Sequence, residues 1–234
     1  MKKTIVVTGG TKGIGYAILR RFAAEGFDLV TCSRNKVELD HVVTNLAKQY
    51  NVKVWHIAAD LSQKSEVKKF VDFINSLGVS VDVLVNNAGL FIPGAVHLEE
   101  DGALELMINT NLYSAYHLTR GLIHDMKARK QGYIFNMCST ASIVPYVNGG
   151  SYCISKFALL GMTRVLREEM KPFDLKVTAV LPGATLTASW DGTDLPKERF
   201  MQPEDVAEAI WTAYSLSPYS VLEELLIRPQ LGDF

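Results

Sequence analysis

Short runs of β-branched and aliphatic residues alternate along this chain with longer stretches in which apolar residues recur every three or four positions. The short runs, at 3–8, 28–33, 52–59, 81–85, 133–138, 176–180 and 221–227, predict seven strands. The longer stretches predict helices at about 14–24, 36–49 and 65–77, within 99–129, after Gly150 (Tyr152 to Met170) and from Pro203 onward. Pro203 suits a first helical position, and Glu204 and Asp205 in the first turn complement the helix dipole. Strand and helix alternating in this way imply a parallel sheet covered on both faces, an α/β fold. In 99–129, residues Leu104, Met107, Ile108, Leu112, Ala115, Tyr116, Leu118, Thr119, Leu122, Ile123 and Met126 wrap most of the helix circumference. A helix apolar on nearly all sides is buried on both faces or lies in an oligomer interface. The stretch 188–200, with Trp190, Gly192, Pro196 and Phe200, is the least regular and is expected to form a lid or substrate loop.

Length and charge narrow the picture. The 234 residues carry a net charge of −1, which suits one large domain spanning 1–234 better than two small ones. No basic excess argues for nucleic acid, and no apolar run is long enough for a membrane span. The two lysines at the start lead into a strand with no signal-peptide core. Cys32, Cys138 and Cys153 are scattered and odd in number, which fits a reducing cytoplasm and argues against structural zinc; the five histidines lack metal-ligand spacing.

Candidate chemistry lies at the predicted strand ends, where open α/β sheets bind ligands. After the first strand comes Gly9-Gly10-Thr11-Lys12-Gly13-Ile14-Gly15, spaced Gly-x-x-x-Gly-x-Gly. Between a strand and a helix, such a loop lets the backbone approach a phosphate seated on the helix N-terminus; standing alone, it is also an ordinary βα turn. The second strand ends in Ser33-Arg34, with no carboxylate until Glu38. Lys12 and Arg34 pointing one way suit a ribose 2′-phosphate, the alternative being two solvated surface charges. Asp60-Leu61 and Asn86-Asn87-Ala88-Gly89 end the next two strands. Asn111, mid-helix, needs a polar partner. Tyr152 and Lys156 share one helix face at i, i+4, and Ser139 ends the strand before them. That trio offers a proton donor, a cation beside it and a hydroxyl to hold an oxygen. A free phenol titrates near 10, so work at pH 7 asks for a shift of about three units, at the limit of what one neighbouring cation supplies.

Together these motifs resemble the short-chain dehydrogenase/reductase family, over almost the whole chain. Thr8 to Gly15 is similar to its cofactor loop, Asp60-Leu61 to its adenine-side pair, and Asn86-Asn87-Ala88-Gly89 to the motif that steadies the sheet behind the cofactor. Asn111, Ser139, Tyr152 and Lys156 resemble its catalytic tetrad, and Pro182, Gly183 and Thr187 its nicotinamide-side motif. The resemblance implies a Rossmann doubly wound, seven-stranded parallel sheet ordered 3-2-1-4-5-6-7 and a homodimer or homotetramer. Lys12 with Arg34 resembles the branch that uses NADP. The implied reaction is hydride transfer between nicotinamide and a small-molecule carbonyl. Tyr152 is the implied proton donor and Ser139 orients the oxygen. Lys156 lowers the phenol pKa and, beside Tyr152, holds the ribose, while Asn111 holds a water linking Lys156 to solvent. An oxidised nicotinamide would add the second positive charge that the phenol requires.

Two features depart from the family. The segment after Gly183 is compact, and the C-terminus lacks paired glycines, more like bacterial sepiapterin-reductase-like members. The leading expectation is an NADPH-dependent carbonyl reductase. The alternatives are a 3-oxoacyl-acyl-carrier-protein reductase, whose acidic carrier would meet Lys127, Arg129 and Lys130, and a non-catalytic NADP-sensing regulator. Phe91, Ile143, Val144, Tyr146, Ala184, Leu186 and Trp190 are expected to line an apolar substrate pocket with no cation besides Lys156. Asp233 would anchor an amino-bearing ring if the tail folded back over the cleft.

Overall fold

The computed structural model describes residues 2–190 and 192–233. Seven strands form one sheet: β1 (Thr4–Thr8), β2 (Asp28–Ser33), β3 (Val54–Ala58), β4 (Val83–Asn86), β5 (Tyr133–Met137), β6 (Lys176–Pro182) and β7 (Glu224–Ile227). They lie in the order β3-β2-β1-β4-β5-β6-β7 with every neighbouring pair parallel, so the implied Rossmann order holds. Register centres on β1, where Ile5 pairs Leu29 on one side and Val83 on the other. All five residues of β1 are buried, as a β-branched strand covered on both faces must be.

The helices α1 (Gly13–Ala24), α2 (Lys36–Tyr50), α3 (Lys64–Ser76), α4 (Ala103–Ile108), α5 (Ser114–Arg129), α6 (Gly150–Met170) and α7 (Pro203–Ser215) cover the two faces. On one face, Ile18, Leu19 and Phe22 of α1, Leu46 of α2 and Val206 and Ile210 of α7 pack on Ile5, Val7 and Phe135. Phe22 and Trp211 meet edge to face at 5.2 Å, which joins α1 to α7. On the other face, Phe70 and Ile74 of α3, Leu118 and Met126 of α5 and Met170 of α6 pack on Val6, Leu84 and Ile134.

The predicted elements hold, with shifted ends. The third and seventh strands are shorter than their apolar runs, and the fourth is displaced toward Asn86, because pairing begins only where a neighbour lies alongside. The stretch 99–129 differs more. A π-helical turn, Asn109–Tyr113, separates α4 from α5 and carries Asn111 inward. Such turns concentrate at functional sites. Nor is this helix buried all round: Leu104, Tyr113 and Tyr116 are exposed, whereas Leu112 packs inward. The expected lid, 188–200, holds two short 3₁₀ turns, Ala188–Trp190 and Lys197–Arg199; Asp191 lies outside the described residues.

Candidate active site

The C-terminal ends of the strands open into two joined clefts of about 360 and about 560 Å³, which share Ile14, Asn87, Gly89, Leu90, Thr187 and Ser189. The smaller is walled by Gly9, Thr11, Lys12, Gly13, Gly15, Arg34, Asp60, Leu61 and Ala88. Its glycines have a steric reason. Gly13 starts α1 at φ +56°, and a Cβ on Gly15 would overlap the Gly9 carbonyl oxygen. Asn87 fastens the loop to the end of β4, its amide donating to the carbonyls of Thr8 at 2.8 Å and Gly9 at 3.3 Å. The Thr8 hydroxyl accepts from the N–H groups of Asn87 and Ala88 in return. Lys12 and Arg34 face this cleft, and Asp60 is the one carboxylate on its described wall. A helix N-terminus with an open glycine cradle and two cations fits a pyrophosphate and a second phosphate.

The larger cleft holds the other group of predicted residues: Ser139, Tyr152, Lys156, Pro182, Gly183 and Thr187. Ser139 begins a 3₁₀ turn after β5, and its Oγ accepts from the Ala141 N–H at 3.1 Å. Tyr152 sits in the first turn of α6, half-buried, with its ring edge-on to Phe91 at 4.9 Å between centroids. Lys156, one turn on, is 5 % exposed and donates to the Met137 carbonyl at 2.7 Å. Asn111 does not line either cleft. It lies behind them, exchanging two hydrogen bonds with the Leu90 backbone at 2.7 and 2.9 Å and donating to Ser155 Oγ at 2.9 Å. Ser155 in turn donates to the Tyr152 carbonyl at 2.7 Å. The polar partner that Asn111 required is thus a backbone clamp joined to α6.

The electrostatics revise one expectation. Lys156 was expected to pull the phenol down. Instead, desolvation in the cleft raises the Tyr152 pKa, and only the hydrogen bond with Ser139 opposes this; Cys153 and Cys138 add to the rise. Lys156 reaches past the ring, its Nζ 5.7 Å from the ring centroid, to bond Met137. Its own pKa falls to about 8 because burial disfavours the cation, with Cys138 opposing. The free site therefore presents a protonated phenol beside a lysine that is charged below about pH 8.

The pocket wall also differs from the apolar expectation. Phe91, Val144, Tyr146, Ala184 and Trp190 line it, but Ile143 and Leu186 do not. Arg228 and Asp233 do, because the C-terminal tail folds back. Asp233 accepts from the Ala184 N–H at 3.3 Å and pairs with Arg228 at 3.4 Å. Arg228 escaped sequence reasoning because nothing local shows where a tail returns. Ser155 had a signal, since it lies three residues after Tyr152 on the same helix. Among the described residues, no cluster could hold a metal ion, and no helix is long and apolar enough to cross a membrane.

Residues 3–196 match the family model for short chain dehydrogenase. The chain is 31 % identical over 241 aligned positions to a sepiapterin reductase of Chlorobaculum tepidum, covering all of this chain and 98 % of that protein. It is 28 % identical to an uncharacterized oxidoreductase of Staphylococcus aureus, with 97 % of each covered. Among solved structures, an alcohol dehydrogenase from the archaeon Thermococcus sibiricus complexed with 5-hydroxy-NADP superposes with a TM-score of 0.90 at 26 % identity, covering 98 % of this chain and 97 % of that one. L-sorbose reductase from Gluconobacter frateurii, complexed with NADPH and L-sorbose, does so with 0.90 at 27 %, covering 97 % and 95 %.

The Lys156 shift gives a pH prediction. As pH rises through about 8, the free protein loses the lysine cation. The kcat/KM for nicotinamide cofactor, which reports the free protein, should be level near pH 7 and decline above about 8. A profile level to pH ~10, where an ordinary lysine titrates, would contradict this assignment.

Proposed function

The chain belongs to the short-chain dehydrogenase family, and from that premise we propose that it is an NADPH-dependent reductase of a small-molecule carbonyl, with Tyr152 as general acid. One observation carries the reading: the Tyr152 and Ser139 hydroxyls face a cleft that runs without a break into the glycine cradle and its two cations. Lys12 and Arg34 would hold the 2′-phosphate, and the bound NADPH would supply the hydride. Ser139 would donate a hydrogen bond to the carbonyl oxygen and fix its direction, and Tyr152 would give that oxygen its proton. The phenol keeps its proton at neutral pH, so the donor is present; its raised pKa makes it a weaker acid, and the negative charge developing on the carbonyl oxygen would have to draw the proton across. Lys156 would place a cation beside the ribose, and Asn111 would keep α6 in register with Leu90. The reading takes 1–234 as one domain. It also takes a cytoplasmic location, with Cys32, Cys138 and Cys153 as free thiols in support.

The substrate reading is graded. The rings of Phe91, Tyr146 and Trp190 on the cleft wall suit a flat neutral ketone or diketone. A second reading, a pterin, is favoured by Asp233, whose carboxylate stands at the cleft and would accept from a ring amino group. The relative from Chlorobaculum is named for such a substrate. Acyl-carrier thioesters rank third. A non-catalytic sensor has no need of all four groups Asn111, Ser139, Tyr152 and Lys156.

Steady-state kinetics with NADPH against a neutral diketone, sepiapterin and an acetoacetyl thioester separate these readings. Tyr152→Phe should abolish reduction and leave NADPH affinity within a few-fold, because it removes one oxygen and little packing. A variant that keeps most of the wild-type rate sinks the mechanism. Arg34→Ala should lower the preference for NADPH over NADH on the order of ten- to a hundredfold, the value of a lost charge-assisted bond of about 1.5–3 kcal/mol. Equal kcat/KM for both cofactors in the wild type would count against the NADP assignment.

The reading extends to a homodimer or homotetramer. Of Leu112, Tyr116 and Leu166, apolar beyond what one core face needs, Leu112 and Leu166 pack inward and Tyr116 stands exposed; Tyr113, Ile154, Phe157 and Val165 stand exposed beside it on the helical stretch 109–129 and on α6. Light scattering at micromolar concentration should give twice or four times the chain mass; a monomer would refute this.

A further inference from the structure

The segment 90–99 leaves the end of β4, passes the mouth of the larger cleft and returns to the start of α6. Asn111 clamps its first residue, Leu90. In its middle, the Gly94 N–H donates to the Asn148 carbonyl at 2.9 Å, and Gly94 forms an isolated parallel bridge with Gly149. At its end, Glu99 reaches the first turn of α6. One carboxylate oxygen accepts the Ser151 N–H at 2.8 Å, and the other accepts the Ser151 hydroxyl. The space for this contact is reserved, because a Cβ on Gly150 would overlap the carboxylate and one on Gly94 would lie 2.6 Å from Glu99 Cγ.

The first turn of any helix has N–H groups without an intrahelical partner, and a negative charge there is favoured. Helix α6 has no side-chain cap at Gly149 and no acidic residue in its own first turn. Glu99 supplies both needs from 52 positions away. Ser151, which it holds, immediately precedes Tyr152. The same segment carries Phe91, whose ring meets the phenol edge-on at 4.9 Å.

We propose that Glu99 is a positioning residue for Tyr152: through Ser151 it fixes where the catalytic helix begins, and so where the phenol stands relative to Ser139. Glu99 lines neither cleft and touches neither reactant site. The proposal rests on Tyr152 being the proton donor. Misplacing a reacting group by about 1 Å costs up to 10²-fold in rate.

The test uses the full chain with NADPH and the best carbonyl substrate, comparing Glu99→Ala, Glu99→Gln, Ser151→Ala, the Glu99→Ala/Ser151→Ala double variant and Tyr152→Phe. Glu99→Ala should lower kcat about tenfold or more, while the KM for NADPH stays within about twofold. Glu99→Gln should recover most of the loss, since its amide oxygen still accepts from the Ser151 N–H. Ser151→Ala should lose less than Glu99→Ala, and the double variant no more than Glu99→Ala alone, as expected for residues acting through one contact. An unchanged kcat in Glu99→Ala overturns the proposal. So does a parallel fall in kcat and NADPH affinity that Glu99→Gln does not restore. If Glu99→Ala does not fold, Glu99→Gln and Ser151→Ala decide: wild-type kcat in both overturns the proposal, and a kcat loss in Ser151→Ala at unchanged NADPH KM supports it. Tyr152→Phe separates the two levels. If it stays active, the reading of the site fails; if it is inactive while Glu99→Ala is not, only the role of Glu99 fails.

Discussion

A lysine ammonium buried at the end of a parallel sheet is the constraint on which the site depends. Taking such a charge out of water costs several kcal/mol unless it is paired or hydrogen-bonded. Lys156 meets that cost with one main-chain acceptor, the Met137 carbonyl at the end of β5. The bond fixes the distance between β5 and α6, and both carry groups that face the cleft. The ammonium remains easy to discharge, with a pKa of about 8. Burial thus pushes the two ionisable groups of the site toward their neutral forms, the lysine down and the phenol up.

Around that pair, a polar network runs through the apolar layers. The Asn86 amide donates to Thr119 and Asn136, and Asn136 donates to Thr163, so β4 and β5 are tied to α5 and α6. A second chain runs from Leu90 through Asn111 and Ser155 to the Tyr152 carbonyl. Networks of this kind specify one arrangement of the core to the extent that their members are satisfied, and in this one the buried Asn86 Oδ1 has no hydrogen-bond partner among the described residues. Here they set α6 against the strand ends from two sides, and Glu99 fixes its first turn from a third.

The parts of the molecule legible in sequence were those encoded by local spacing. Strand runs, helical periodicity, the glycine loop and the Tyr152–Lys156 pair each lie within one element or one turn, and every expected cofactor residue from Gly9 to Thr187 lines the joined clefts. What was not legible depends on distant parts of the chain. The π-helical turn at Asn111 follows from partners at Leu90 and Ser155, which no periodicity in 99–129 reveals. Arg228 reaches the cleft because the tail returns, and Ile143 and Leu186, on loops whose course no local pattern encodes, do not line it. Proximity to Lys156 along a helix says nothing about burial, and desolvation is the largest cause of the upward Tyr152 shift.

One electrostatic arrangement sets the free cleft apart: desolvation raises the Tyr152 pKa while burial lowers that of Lys156 to about 8. It is tested most directly by NMR titration of the protein labelled with ¹³C at tyrosine Cζ, the Tyr152 resonance being assigned by its loss in Tyr152→Phe. No titration of that resonance is expected at or below the ordinary phenol value of about 10. A Tyr152 titration centred near pH 7 in the free protein would contradict it, and would return to Lys156 the dominant influence on the phenol.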